Sequence, residues 1–173
     1  LTTLMNERAS IGGGMGMGGD LIGGNLTKLL DRYYINGKPA REDSNARQKL
    51  AEYYSRLKSI ELSGNRIMSA ISQGGMPGPE SSTLKLSIGL LMQEMAAFCM
   101  QLQGPFGTAL DDNAFMAGLF QEMYLGIPAI RIAGGTDEVQ RNIIGERMLG
   151  LPAEQRVDKG IPFNEIPTSA RVA

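Results

Sequence analysis

The sequence contains no histidine and no tryptophan, and Cys99 is its only cysteine. The absence of histidine excludes Ser-His-Asp catalysis, Cys-His catalysis and histidine-based metal sites. A single cysteine allows neither a disulfide framework nor a thiolate metal cluster, so we expect no metal site. Any acid–base chemistry must therefore use a carboxylate, a lysine or a tyrosine.

Neither sign of charge dominates, and long apolar runs are missing. Lysine and arginine number 17 against 18 aspartates and glutamates, a formal net charge of -1. A nucleic-acid-binding surface needs a basic excess, and a membrane-spanning helix needs roughly 18 apolar residues, so we expect neither partner. The 173 residues suit one domain. Because the chain starts at Leu1 within an apolar pattern and has no signal-peptide layout, we interpret it as a piece of a longer, cytoplasmic protein.

Apolar residues at helical spacing mark the longest predicted helices. Pro77 and Pro79 precede the clearest one, and Gly104-Pro105 follows it. Its stripe alternates steps of about four and three residues and comprises Leu84, Ile88, Leu91, Met95, Phe98 and Leu102. Met92, Ala96, Ala97 and Met100 add apolar surface. We therefore expect this helix at the centre of a bundle.

Two further stripes flank the central one. The upstream helix has Asp43 or Ser44 as its candidate N-cap and Gln73-Gly74-Gly75 as its candidate end. Its apolar residues are Leu50, Tyr53, Tyr54, Leu57, Ile60, Ile67, Met68 and Ile71. A shorter amphipathic segment follows Asp111-Asp112 downstream and contains Phe115, Met116, Leu119, Phe120 and Met123.

The last predicted helix begins with Thr136 as its N-cap and runs to Leu149, before Gly150. Asp137 and Glu138 in its first turn complement the helix dipole.

The inward face of this helix is expected to carry Val139, Ile143 and Leu149. Beyond it the pattern fades, and residues 153–173 are expected to form an extended or disordered tail. No segment alternates convincingly with period two, so the sequence predicts an all-α antiparallel bundle.

The first segment has apolar residues at helical spacing, which are Leu1, Leu4, Ile11, Met15, Ile22, Leu26, Leu29 and Tyr33. Eight glycines between Gly12 and Gly24 interrupt it, and each costs a helix about 1 kcal/mol relative to alanine. The segment is either a loop joining two helices or a helix whose glycines allow close packing.

Several short motifs have ordinary structural interpretations. The GxGxxG match at Gly14–Gly19 lacks the preceding strand that a dinucleotide site requires. The Glu7-Arg8 pair, Glu80 and Lys85 are, taken alone, typical solvated charges on helices. Cys99 lies on an apolar helix face, so we expect an inert buried thiol. The glycine pair Gly134-Gly135 differs, because it leads into a helix N-terminus that offers free backbone N–H groups.

Three segments together resemble the acyl-CoA dehydrogenase family. Residues 134–141, GGTDEVQR, resemble its most diagnostic segment, approximately Gly-Thr-x-x-x-x-Arg before the last helix. Residues 100–107, MQLQGPFG, resemble its second flavin-contact motif, in which a glutamine precedes a glycine-rich turn. Residues 4–8, LMNER, resemble the start of the first helix of its C-terminal domain. The resemblance covers residues 1–152 in the family's order.

The resemblance implies a C-terminal domain over residues 1–152. That domain is an antiparallel four-helix bundle with an extra short C-terminal helix, which favours a helix over residues 3–33. The implied cofactor is FAD, held between this domain and a β-domain absent from the chain, with a neighbouring subunit completing the site. The chain alone is therefore expected to be inactive. Implied partners are an acyl-CoA substrate, an electron-transfer flavoprotein or similar acceptor, and further copies in a homodimer or homotetramer.

The implied reaction is α,β-dehydrogenation of an acyl-CoA, in which a carboxylate removes the α-proton while hydride passes to the flavin. The family's commonest position for that carboxylate is Gly134 in this chain, which has no side chain. Isovaleryl-CoA and long-chain members instead carry the base in a Glu-Arg pair on the first helix, which Glu7-Arg8 matches. The resemblance thus implies that Glu7 is the catalytic base.

The resemblance also implies residues that contact substrate and cofactor. Those expected near the acyl-CoA are Met5, Asn6, Arg8 and Gly135. Those expected near the flavin are Gln101, Gly104, Pro105, Thr136 and Glu138. One departure concerns residues 36–41, NGKPAR, where the family often has Arg-x-x-Phe-Gly. Lys38 or Arg41 could supply the missing charge, and the sequence does not choose between them.

Three functional hypotheses follow. The chain belongs to an active dehydrogenase with Glu7 as base, or it is a non-catalytic subunit of a heteromeric dehydrogenase. The second hypothesis draws on the missing carboxylate at Gly134 and the missing Arg-x-x-Phe-Gly stretch. The third, an unrelated helical interaction module, would leave the three family matches as coincidences.

Overall fold

The computed structural model describes residue 3 and residues 21–76, 78–110, 114–153, 158 and 160–166. The helices are α1 (Thr27–Arg32), α2 (Ser44–Ser72), α3 (Glu80–Gln103), α4 (Leu119–Ile132) and α5 (Asp137–Ile143). A π-helical turn, Leu21–Leu26, leads into α1, and another, Ile144–Met148, continues α5. Short 3-10 segments lie at Ala40–Glu42, Gly104–Thr108, Phe115–Gly118 and Phe163–Glu165.

Helix α3 is the centre of the domain, and α4 runs antiparallel to it. Near the C-terminal end of α3, the side-chain amide of Gln121 donates to Gln103 Oε1 at 3.2 Å. Near its N-terminal end, Lys85 Nζ donates to the carbonyl oxygen of Arg131 at 2.7 Å. These contacts pair the start of each helix with the end of the other.

Helix α2 packs antiparallel along another side of α3. The hydroxyl of Tyr53 donates to the carbonyl oxygen of Glu94 at 3.4 Å, and Arg56 pairs with the Glu94 carboxylate. The core between the helices consists of buried apolar residues: Leu26, Leu29, Tyr53, Leu57, Ile60, Leu84, Ile88, Leu91, Met92, Met95, Ala96, Cys99, Phe120, Met123 and Ile127. The all-α antiparallel four-helix bundle with a short C-terminal helix is confirmed.

Local sequence signals set the ends of the long helices. Asp43 caps α2, since its carboxylate accepts from the backbone N–H of Ala46 at 2.9 Å. Pro79 lies at the N-cap of α3, and Gly104, with φ 55°, ends it. These boundaries agree with the predictions.

The first helix is described from Leu21 to Arg32, which agrees with the helical interpretation over that stretch. Most of the glycine-rich stretch lies outside the described residues. The predicted residues Met5, Asn6, Glu7 and Arg8 lie outside them too.

A small hairpin between α1 and α2 was not predicted. Strands β1 (Tyr34–Ile35) and β2 (Lys38–Pro39) pair antiparallel. Asn36 and Gly37 join them with φ of 52° and 78°. An Asn-Gly pair with two positive φ angles is the preferred two-residue hairpin turn, so Asn36-Gly37 is the sequence signal for this hairpin, whose strands are too short to show alternation.

Four predicted inward-facing residues are exposed instead: Tyr54, Met68, Val139 and Leu149. Tyr54 and Met68 each follow a residue that faces the core, and one step rotates a helical side chain by about 100°. Helix α5 buries its polar residues Asp137 and Gln140, which leaves Val139 outside. Leu149 lies just past the π-helical turn, where the period of 3.6 residues no longer holds.

A left-handed turn precedes α4. Met116, Ala117 and Gly118 have φ of 53°, 53° and 79° in succession. For residues with a side chain, this conformation costs roughly 1–2 kcal/mol each.

We expect Ala117→Gly to raise the free energy of unfolding by about 1 kcal/mol, because glycine adopts positive φ without the Cβ clash. Denaturant unfolding measures the change. Ala51→Gly, at an exposed position inside α2, is the matched control and should lower stability by about 1 kcal/mol. A destabilised Ala117→Gly protein would contradict the left-handed conformation.

Burial of two titratable side chains makes stability fall at alkaline pH. Desolvation raises the pKa of Cys99 from 9.0 to about 12. Desolvation, then the nearby charges of Glu52 and Glu94, raise the pKa of Tyr53 from 10.0 to about 12. Above the unfolded-state values, the native protein holds protons that the unfolded chain has released, so the free energy of unfolding decreases as pH rises toward 12.

We expect urea unfolding at about pH 11 to show lower stability than at pH 8, with a smaller loss in a Tyr53→Phe, Cys99→Ala double variant. Comparing each protein with itself at the two pH values cancels the packing effect of the substitutions. An equally steep loss in the double variant would show that these groups do not cause it.

Candidate functional site

The connection between α4 and α5, residues 133–136, is a tight turn that we call the glycine turn. Gly134 and Gly135 have φ of 66° and 106°. The N–H of Gly135 donates to the carbonyl oxygen of Ile132 at 3.1 Å. Thr136 caps α5 as predicted, its hydroxyl oxygen accepting from the N–H of Val139 at 3.4 Å. Two consecutive glycines allow this backbone path, and the hydroxyl fixes where the helix begins.

Lys85 lies beneath the glycine turn and is fully buried, with 0% of its side chain exposed. Its Nζ donates to the carbonyl oxygens of Arg131 at 2.7 Å and of Gly135 at 2.6 Å. The interpretation of Lys85 as a solvated charge was wrong. Position 85 faces the end of α4, where backbone carbonyls lack helical partners and accept hydrogen bonds from the amine.

Gln140 holds the same turn from the side of α5. Its side-chain nitrogen donates to the carbonyl oxygens of Gly134 at 3.1 Å and of Gly135 at 3.0 Å. Gln140 is fully buried. The carbonyl oxygen of Gly135 therefore accepts from two buried side chains, and both glycine carbonyls point into the protein.

A buried carboxylate joins this arrangement. Asp137 Oδ2 accepts from Arg131 Nε at 2.7 Å and also from Arg131 Nη2. Asp137 Oδ1 lies 4.0 Å from Lys85 Nζ, and the Asp137 side chain is 4% exposed. Two cations around one carboxylate reduce the desolvation penalty that an isolated buried charge would carry. We call Lys85, Arg131, Asp137 and Gln140 the buried cluster.

Helix α3 has a surface shaped for Arg131. Lys85, Gly89 and Gln93 recur every four residues, so they share one helix face. A Cβ at Gly89 would lie 3.2 Å from Arg131 Cγ, and Arg131 Nη1 donates to Gln93 Oε1. This face of polar and small residues beside an apolar stripe was the sequence signal for the buried cluster, which the sequence analysis missed.

Glu138, a predicted cofactor contact, is 77% exposed at the start of α5. Hydrogen bonds from its own backbone N–H and from the Thr136 hydroxyl, with the nearby charge of Arg141, hold the pKa of its carboxyl below the usual range. An ionised carboxylate at a helix N-terminus also complements the helix dipole.

The predicted contacts Gln101, Gly104 and Pro105 lie at the opposite end of α3 from the glycine turn. Gln101 lies sixteen positions after Lys85, a distance of about 24 Å at 1.5 Å per residue. All three are exposed, and a Cβ at Gly104 would meet no atom within 4 Å. The structure brings Gly135, Thr136 and Glu138 together and keeps this second group apart.

The two candidate cations near the hairpin are both on the surface. Arg41 pairs with Asp31 at 3.1 Å, with 63% and 53% of the two side chains exposed. Lys38 is exposed on β2. The choice between them stays open.

A groove of about 390 Å³ lies between the end of α2, the start of α3 and the π-helical turn Ile144–Met148. Its lining residues include Arg66, Glu80, Thr83 and Met148, and none of the predicted site residues. Among the described residues, no group of three or more His, Cys, Asp or Glu side chains could hold a metal ion. None of the described helices is long and apolar enough to cross a bilayer.

Comparison with known proteins identifies one family. The family described as "Acyl-CoA dehydrogenase, C-terminal domain" matches residues 1–149. The acyl-CoA dehydrogenase IpdE1 of Mycolicibacterium smegmatis is 31% identical over 130 residues, which cover 75% of this chain and 30% of that protein. The chain thus spans about a third of the length of this relative.

Solved structures share the fold. A glutaryl-CoA dehydrogenase from Mycobacterium smegmatis in complex with FADH2 is 21% identical, with a TM-score of 0.71 over 88% of this chain and 38% of that one. The ChsE4-ChsE5 complex from Mycobacterium tuberculosis contains a chain 25% identical, with a TM-score of 0.66 over 77% of this chain and 36% of that one.

The backbone conformation of the glycine turn predicts that position 134 tolerates a side chain better than position 135. Gly134 lies within the left-handed well, where φ is about +50° to +70°, and Gly135 lies outside it. We expect Gly134→Ala to lower the free energy of unfolding by about 1 kcal/mol and Gly135→Ala by roughly 2–3 kcal/mol. Denaturant unfolding of both variants tests the order, and a larger effect at Gly134 would contradict this turn geometry.

Proposed function

The chain belongs to the acyl-CoA dehydrogenase family, and we propose that it supplies the C-terminal domain of an FAD-dependent enzyme that dehydrogenates an acyl-CoA thioester. The observation that carries this proposal is the glycine turn, a defined backbone path into α5 at the family's most diagnostic segment. Because the chain spans about a third of the relative IpdE1, the complete site requires domains that this sequence does not include.

The carboxylates described around the glycine turn are poorly suited to remove a proton. Asp137 is buried between Lys85 and Arg131, and its Oδ2 already accepts two hydrogen bonds from Arg131. The pKa of Glu138 is lowered by hydrogen bonds at the helix N-terminus. Gly134 offers no side chain. These observations support a base from elsewhere in the protein.

We propose Glu7 as that base, a general base that takes the α-proton onto its carboxylate. The support is the family likeness of the Glu7-Arg8 pair, together with the lack of a carboxylate at position 134. In this proposal Arg8, Met5 and Asn6 line the substrate side, and Gly135 approaches the thioester.

FAD, when bound, would supply the hydride acceptor. Two places support a flavin contact: beside Thr136 the glycine turn has no side chains at Gly134 and Gly135, and Gly104 leaves open space beside the exposed Gln101 and Pro105. Lys85, which lies beneath the glycine turn, and Gln101 are about 24 Å apart along α3, so we propose that the two places contact distant parts of one flavin or two flavins. Two flavins at one chain would require a neighbouring copy of the protein, so we propose a homodimer or homotetramer.

We further propose an electron-transfer flavoprotein or similar acceptor as a partner and a cytoplasmic location.

A specific observation favours a second candidate, a non-catalytic subunit of a heteromeric dehydrogenase. Gly134 lacks the carboxylate of the family's commonest arrangement, and residues 36–41 lack Arg-x-x-Phe-Gly. One similar solved chain comes from a complex named for two components, ChsE4 and ChsE5. In this candidate the chain would support the flavin site of a partner.

The test uses the protein from which this sequence comes, expressed at the full length of its gene. Acyl-CoAs of different chain classes are added anaerobically while the visible flavin absorbance is followed. We expect bleaching by one class. We also expect Glu7→Gln to lower kcat by roughly 100- to 10,000-fold, the usual contribution of a general base, with flavin retained.

Glu122→Gln, an exposed carboxylate on α4, is the matched control and should keep the turnover of the wild type. Unchanged turnover in Glu7→Gln would reject Glu7 as base. Bound flavin that no acyl-CoA bleaches would favour the non-catalytic subunit, and a protein without flavin would reject the cofactor proposal.

A further inference from the structure

The glycine turn needs a single backbone conformation, although its two glycines allow many. Gly134 and Gly135 have no Cβ and populate positive and negative φ about equally well. A contact to substrate needs its groups held within about 0.5 Å. The two glycines have no side chains to supply that constraint, so we look for it in side chains of the neighbouring helices.

We propose that Lys85 is a positioning residue that fixes the Gly135–Thr136 peptide for the dehydrogenase reaction, an inference that rests on the proposed function. Lys85 Nζ accounts for the shortest hydrogen bond to the turn, 2.6 Å to the carbonyl oxygen of Gly135. It also donates to the carbonyl oxygen of Arg131 at 2.7 Å. One amine thereby ties the last turn of α4 to the residue before the N-cap of α5.

The direction of this peptide follows from its planarity. In a trans peptide the C=O and the next N–H point in opposite directions. Because the carbonyl of Gly135 points inward to Lys85 and Gln140, the N–H of Thr136 points away from the buried cluster. The amine of Lys85 thus determines which way the turn presents a backbone donor and the Thr136 cap.

Two variants can each remove one cation from the buried cluster while differing in whether Lys85 still donates to the glycine turn. Lys85, Arg131 and Asp137 together carry one net positive charge. Lys85→Met removes one cation and leaves the Arg131–Asp137 pair neutral. Arg131→Met removes one cation from the same cluster, leaves Lys85 with Asp137, and keeps both side-chain donors to the glycine turn.

The full-length flavin-loaded protein is compared with these two variants. We expect Lys85→Met to lower kcat/KM by roughly 10- to 100-fold, the effect of misplacing a contact by about 1 Å. We also expect a weaker change in the flavin spectrum when a redox-inert thioether analogue of acyl-CoA binds. Arg131→Met should lower kcat/KM less than Lys85→Met does, because the turn keeps both of its side-chain donors.

A second readout is independent of activity. Hydrogen–deuterium exchange of a peptide spanning residues 133–140 should be faster in Lys85→Met, while exchange in α2 stays unchanged. In Arg131→Met the same peptide should exchange more slowly than in Lys85→Met, because Lys85 and Gln140 still donate to the glycine carbonyls. Equal losses of activity in both variants, or unchanged exchange in Lys85→Met, would overturn the positioning role.

Different results would reject the proposed function and the positioning role of Lys85. A wild-type protein that no acyl-CoA reduces would reject the proposed function and, with it, the role of Lys85 in that reaction. An active wild type with a fully active Lys85→Met variant would reject only the positioning role.

Discussion

The buried amine of Lys85 is the contact on which the geometry of the glycine turn depends. It lies where three helices meet: within α3, below the last turn of α4 and before the first turn of α5. The carbonyl of Arg131 is among those that a helix C-terminus leaves without partners. A cation at that end and the carboxylate of Asp137 at the N-terminus of α5 each complement the nearby helix dipole. The cluster therefore satisfies the two helix ends and the turn between them with the same few groups.

The side chains that hold the glycine turn in place differ from the group that we propose as the base. Asp137 accepts two hydrogen bonds from Arg131 and lies 4.0 Å from Lys85 Nζ, which suits a structural role beside the turn. The glycines can then come close to a ligand without side chains in the way. Gly134 has no side chain, and the base that we propose, Glu7, lies on another segment of the chain.

Much of the fold was predictable because its signals are local. Asp43, Pro79, Gly104 and Thr136 mark helix ends through capping and backbone preference, which neighbouring residues decide. The glycine turn was predictable for the same reason.

The buried cluster was not predicted, because the spacing of apolar residues shows only which face of a helix is apolar. It does not show which neighbouring helix covers a given polar residue. Lys85 is buried since the end of α4 lies over it, and Leu149 is exposed since a π-helical turn changes the phase. Glu7 lies outside the described residues, so its role as base stays a prediction.

The number of residues in α3 sets how its two ends are rotated and spaced relative to each other. The helix connects the glycine turn at one end to the exposed Gln101–Pro105 surface at the other, across about 24 Å. One inserted residue between them would turn one end by about 100° relative to the other and shift it by 1.5 Å. Substitutions leave that phase intact, whereas insertions and deletions do not. Homologous chains should therefore vary in length at the hairpin and the interhelical connections, and keep the number of residues between Lys85 and Gln101 constant.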